Sequence, residues 1–133
     1  MTSLVLHKNK IQSCFSKIEL LGSTMCVIGC HLPAHDNKLK KRMEAIRDVW
    51  NEVSFKNKTF AIKQHDIILW CGDMNFRVEK SFETAKSLIW QKQYTKLAQF
   101  DQLNANKDTC FPGFKEHELN YPPTFKFLLN SDE

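Results

Sequence analysis

The chain has 133 residues, 42% hydrophobic and 26% charged, with a formal net charge of +4. That profile excludes a disordered chain and bounds the sequence to at most one domain. The mild positive charge favours anionic partners such as phosphates or acidic membranes, and lacks the broad basic stripe expected of a nucleic-acid binder.

In chain order, residues 4–6 form a short apolar run. Residues 11–21 mix polar and apolar side chains, among them Phe15, Ile18 and Leu20, and predict an antiparallel strand. Gly22 and Ser23 make a turn. Residues 24–30 (Thr-Met-Cys-Val-Ile-Gly-Cys) predict a second, buried strand paired with the one before it. It runs into His31-Leu32-Pro33-Ala34-His35, and Pro33 cannot donate to a sheet ladder, so the strand stops near His31.

Asp36 or Asn37 can cap a helix reaching about Trp50, with Leu39, Met43, Ile46, Val49 and Trp50 on its apolar face. Lys38, Lys40, Lys41 and Arg42 crowd its first turns and read as a solvated face. Residues 51–64 read as a polar connection. Residues 67–71 (Ile-Ile-Leu-Trp-Cys) are a continuous apolar run, the pattern of a strand covered on both faces. Gly72 lets the backbone turn where that strand ends.

Beyond it, Ser81 caps a helix to about Gln91, with Phe82, Ala85, Leu88 and Ile89 on one face. Residues 94–107 are helical in pattern, with Leu97, Ala98 and Leu103 inward. Residues 111–114 (Phe-Pro-Gly-Phe) break it, and Pro122-Pro123 forces extended backbone before Thr124. No apolar run approaches the roughly 20 residues of a membrane helix. The first ten residues hold no signal-peptide core. Five cysteines without a CxxC pair read as reduced thiols, most of them buried in strands, in a cytosolic protein.

Two strand ends therefore carry polar chemistry. One holds His31 and His35, the other Asp73, Asn75 and Arg77. Ligands of layered α/β folds gather at the carboxyl ends of strands. Residues two apart in extended chain share a side, so Asp73 and Asn75 would face one small volume. A carboxylate can hold or deprotonate water, an amide can donate to a phosphoryl oxygen, and a histidine can act as an acid. The ordinary alternatives are a turn of Gly, Asp and Asn, and strand-end histidines satisfied by backbone.

Four motifs in order carry a resemblance: Cys30-His31-Leu32-Pro33-Ala34-His35, then Trp70-Cys71-Gly72-Asp73-Met74-Asn75-Phe76-Arg77, then Gly113-Phe114-Lys115-Glu116, then Pro123-Thr124-Phe125-Lys126. Their order and spacing resemble the inositol polyphosphate 5-phosphatases, more closely the type II group acting on phosphoinositides. The resemblance implies an α/β (α+β) fold, part of a two-sheet β-sandwich flanked by helices, as in the wider endonuclease/exonuclease/phosphatase superfamily. It also implies Mg2+-dependent hydrolysis of the phosphate at inositol position 5.

By that resemblance His31 contacts the scissile phosphate, Asp73 orients or deprotonates the attacking water, and Asn75 holds a phosphate oxygen. Phe125 and Lys126 contact the neighbouring 4-phosphate, with His35 and Arg77 in supporting substrate-binding roles. The implied partner is an inositol phosphate or phosphoinositide headgroup, with peripheral contact to a membrane surface, a cytoplasmic location, no transmembrane segment and no nucleic acid.

The family's domain also has an upstream segment whose Glu is the main metal ligand, and downstream segments supplying a second Asp and His. Neither lies within residues 1–133, so no metal ligand is assigned here. The expectation is the central part of one catalytic domain, inactive by itself. A nuclease of the same superfamily, or a non-catalytic phosphoinositide-binding fragment, are the alternatives. The family usually has Gly where His117 stands, which would strain His117 if that turn needs positive φ.

Overall fold

The computed structural model describes residues 2–8, 11–52, 54–55 and 60–124, divided between two compact units, Met1–Phe76 and Arg77–Glu133.

In the first unit, β1 (Thr2–Lys8), β2 (Ile11–Leu20) and β3 (Ser23–His31) run antiparallel in sequence order. The β2–β3 turn holds Leu21 and Gly22, with φ of 51° and 82°. Positive φ at both central residues suits the twist of a tight hairpin, and places the turn one residue earlier than expected. A single-turn 3₁₀ segment, Asp36–Lys38, leads into α1 (Leu39–Glu52). The helix thus starts later and ends two residues later than expected, and no side chain caps the 3₁₀ turn. β4 (Ser54–Phe55) and β5 (Phe60–Ala61) form a small antiparallel pair where a plain connection was expected.

β6 (Ile67–Asp73) then returns parallel to β3, with α1 in the crossover that parallel pairing requires. The sheet order is β1-β2-β3-β6. Cys26 and Ile28 of β3, Val49 of α1 and Ile62 form the core, with Trp50, Ile68 and Trp70 packed against it. Burial pushes the Cys26 thiol up to about 11 and raises that of Cys30 as well, so both stay protonated.

The expectation that β6 is covered on both faces fails. It is an edge strand among the described residues. Ile68 and Trp70 are half-buried on the α1 side, whereas Ile67, Leu69 and Cys71 are exposed, Leu69 by 49%. Period-two geometry gives an edge strand two unlike faces, and an unbroken apolar run cannot announce which one is covered.

In the second unit, α2 (Phe82–Trp90) is capped by Ser81, whose hydroxyl accepts from Thr84 N. The expected single helix over residues 94–107 is two: α3 (Tyr94–Ala98) and α4 (Gln102–Cys110). Asp101 divides them, because its carboxylate accepts from Leu103 N and starts α4 afresh. Gln102 is the polar pin of this unit. Its backbone N donates to Arg77 O, its side-chain oxygen accepts from Arg77 N, and its amide donates to Glu79. Leu88 and Leu97 are buried as expected, while Phe82 is exposed. His117 escapes the feared strain: positive φ outside glycine occurs at Leu21, His35, Asn75 and Lys92.

Candidate active site at the ends of two parallel strands

The parallel register of β3 and β6 sets His31 directly opposite Asp73. That register depends on Gly72, which faces Cys30 across the ladder with φ of 122°. A Cβ there would collide with the Cys30 carbonyl and lie 2.8 Å from its N. Gly72 thus serves close approach of two backbones, not the turn expected from the sequence. One residue on, Leu32 N donates to Asp73 O at 2.9 Å, extending the ladder past His31.

His31 Nε2 stands 3.6 Å from Asp73 Oδ2, with side chains 63% and 61% exposed. That is pairing distance for a protonated imidazole but too long for a hydrogen bond. The other carboxylate oxygen of Asp73 accepts from Asn75 N at 3.0 Å. Asn75 takes φ of 53°, a conformation Asn tolerates better than most residues. Asp73 and Asn75 therefore come together through a local turn closed on the Asp73 carboxylate, not through the alternation of extended chain. Asn75 Nδ2 donates to Leu32 O at 2.9 Å and ties the two strand-end loops to each other.

Beneath these loops lies Arg42, 0% exposed. Its guanidinium donates to Pro33 O at 3.1 Å and His35 O at 2.7 Å, and lies over the Phe76 ring, 5.4 Å from its centroid. One side chain thus braces the loop after His31 and the residue after Asn75. The sequence reading placed Arg42 on a solvated face, and this is corrected: Arg42, Ile46 and Val49 are spaced i, i+4, i+7, so Arg42 occupies the apolar stripe. That spacing was the available signal. His35, at φ of 77°, is held by its carbonyl in this brace. Arg77 opens the second unit, paired through its backbone with Gln102. Phe125 and Lys126 lie outside the described residues.

A hard divalent cation asks for carboxylates and further oxygens in a near-octahedral shell. Among the described residues no three His, Cys, Asp or Glu side chains gather to hold one. Asp73 brings one carboxylate. Asp66, at the far end of β6, is bound to Thr24, and Glu79 of the second unit accepts from Gln102. The residues present do not fit a metal site by themselves.

The model of endonuclease/exonuclease/phosphatase family 2 matches residues 7–133. The chain is 32% identical over 125 residues to the type II inositol 1,4,5-trisphosphate 5-phosphatase of Mus musculus, covering 88% of this chain and 13% of that protein. It is 36% identical over 121 residues to the phosphatidylinositol 4,5-bisphosphate 5-phosphatase A of Homo sapiens, covering 88% of this chain and 12% of that one. The chain therefore spans about an eighth of the length of these curated relatives. Its structure superposes, with a TM-score of 0.90 and 27% identity, on the inositol polyphosphate 5-phosphatase domain of SPSynaptojanin solved with inositol (1,4)-bisphosphate and calcium ion. That match covers 98% of this chain and 40% of the other, and carries the endonuclease/exonuclease/phosphatase fold.

Proposed function

Because the chain belongs to endonuclease/exonuclease/phosphatase family 2, we propose that it forms the central part of a single 5-phosphatase catalytic domain, acting on inositol phosphates or phosphoinositide headgroups. The observation that carries this reading is the register that sets His31 against Asp73, with Asn75 tying the two loops together, in a chain so similar to 5-phosphatases.

In this reading the Asp73 carboxylate orients a water and takes its proton as the water oxygen attacks phosphorus. The bond from phosphorus to the inositol 5-oxygen breaks, and that oxygen leaves as the hydroxyl, taking a proton from solvent water. His31 donates to an oxygen of the transferring phosphate, and Asn75 holds the loop that aligns it. Phosphoryl transfer is chiefly positioning and charge stabilisation, which suits two loops braced from below. His35, Arg77, Phe125 and Lys126 contact the rest of the phosphorylated ring. Mg2+ is the proposed metal, its main carboxylate coming from outside residues 1–133. Among the described residues no helix is long and apolar enough to cross a membrane, and the proposed location is cytoplasmic with peripheral membrane contact.

The test is inorganic phosphate release from inositol 1,4,5-trisphosphate with Mg2+. These residues alone release none beyond an Asp73→Ala control. When they are joined to the flanking parts of a 5-phosphatase domain, release appears and Asp73→Asn lowers it by at least about a hundredfold. Unchanged release in the Asn variant removes Asp73 from the mechanism.

A further inference from the structure

Arg42 is wholly buried on the same side of α1 as Ala45, Ile46 and Val49. A methionine would fill that stripe without desolvating a charge. What the guanidinium adds is direction. Its bonds to Pro33 O and His35 O both leave one nitrogen, Nη1. The two hydrogens of that nitrogen lie in the guanidinium plane at a fixed angle, so two carbonyls two residues apart are held as a unit. The same group is stationed over the Phe76 ring.

The shorter of the two bonds, 2.7 Å, goes to a strained residue. His35 takes φ of 77° and ψ of 148° without being glycine. Such a conformation persists only where its surroundings impose it. From there the contacts run directly to the reacting groups. Pro33 follows Leu32, whose N donates to Asp73 O and whose O accepts from Asn75 Nδ2. Leu32 follows His31, which faces Asp73. Phe76 follows Asn75. One buried side chain on α1 therefore touches both strand-end segments a residue or two away from the groups that meet between them.

We propose that Arg42 is a positioning residue for phosphoryl transfer, whose fork holds the two loops at the spacing that sets His31 against Asp73. The inference rests on the 5-phosphatase reading of that site. Its consequence is kinetic. Attack geometry tolerates little displacement, and a misplacement of about 1 Å costs on the order of a hundredfold in rate. Substrate affinity is less sensitive, because Phe125 and Lys126, the proposed holders of the 4-phosphate, belong to another segment. Loss of the fork therefore lowers kcat and leaves KM nearly unchanged.

The test uses the chain joined to the flanking parts of a 5-phosphatase domain, with inositol 1,4,5-trisphosphate and Mg2+. Arg42→Met lowers kcat on the order of thirtyfold and keeps KM within about threefold. Arg42→Lys falls only about three- to fivefold in kcat, because an ammonium supplies donors without the plane. Val49→Ala opens a cavity in the core under the same helix and keeps kcat within about twofold. Circular dichroism at the assay temperature shows which variants are folded. A double variant separates positioning from plain stability. Asn75→Ala unties Leu32 O, so adding Arg42→Met to it lowers kcat by less than about fivefold more. Fully additive losses, an Arg42→Met effect no larger than that of Val49→Ala, or a raised KM at unchanged kcat overturns the proposal. If Arg42→Met does not fold, Arg42→Lys decides in its place: the several-fold fall in kcat at unchanged KM supports the proposal, and a kcat equal to the parent's overturns it. No phosphate release by the parent domain is a different result, and it overturns the 5-phosphatase reading together with this inference.

Discussion

Each end of the β3–β6 pair brings an aspartate to β3, and the two ends use it differently. At one end Asp66 accepts from Thr24 N at 2.7 Å and from its hydroxyl at 2.9 Å, while Asp66 N donates back to that hydroxyl at 3.3 Å. Hydrogen bonds from the Thr24 backbone, then its side chain, hold the Asp66 carboxyl below its ordinary range. At the other end one Asp73 oxygen is fastened to Asn75 N, and the second stands 3.6 Å from an imidazole. The first carboxylate closes the fold. The second is steadied from behind and directed at a group that carries and gives up protons. Both are aspartates at ends of the same strand pair, so the hydrogen-bond partners separate a structural acid from a candidate catalytic one.

The site end breaks most severely at Gly72. Gly72→Ala forces a Cβ against the Cys30 backbone at a positive φ. It is expected to cost about 3–5 kcal/mol, read by urea denaturation, since neither backbone can yield without losing the register. A loss under about 1 kcal/mol would mean that the close approach is not enforced.

Arg42→Met comes next. It leaves the Pro33 and His35 carbonyls without their guanidinium donor. The expected loss is about 2–3 kcal/mol in the same measurement. Arg42→Lys recovers part of it, because an ammonium donates without the planar fork. Full recovery by Lys would show that charge alone suffices.

The smallest effect sharpens the comparison by pH. A carboxyl whose folded pKa is lowered adds stability above its unfolded value of about 4, and loses it as pH falls through the folded value. Parent stability therefore declines on acidification through that window, and Asp66→Asn flattens the decline. Asp73→Asn, at an exposed pair, shifts neutral-pH stability by less than about 0.5 kcal/mol. Asp101 runs the other way. Burial raises its pKa, so its charged form is disfavoured in the folded state and acid relieves that cost.

Much of the site was legible in the sequence, for identifiable reasons. Apolar runs that end in Pro33 or in Gly72-Asp73 mark strand ends, and strand ends gather polar groups. Ser81 signalled its helix by cap chemistry, and the structure agrees. What was hidden depends on partners distant in sequence. Nothing in residues 67–71 tells an edge strand from a central one. Gly72 reads as a turn until Cys30 is seen across the ladder. Arg42 was sorted by its charge when its angular position on α1 should have decided. Asp101 and Gln102 fall inside the helical pattern of residues 94–107, and the role of Gln102 as a pin needs the backbone and side chains of residues 77–79 beside it.

The most direct test is an NMR titration of the chain with inositol 1,4,5-trisphosphate, following backbone amides and the Asn75 side-chain amide. The account predicts saturable shifts at residues 31–35 and 73–77 and at Phe125 and Lys126, weakened in a His31→Ala variant whose other resonances are unmoved. The end at Thr24 and Asp66 stays silent. Shifts at Thr24 and Asp66, or no saturable shift at His31, Asp73 and Asn75, would contradict it.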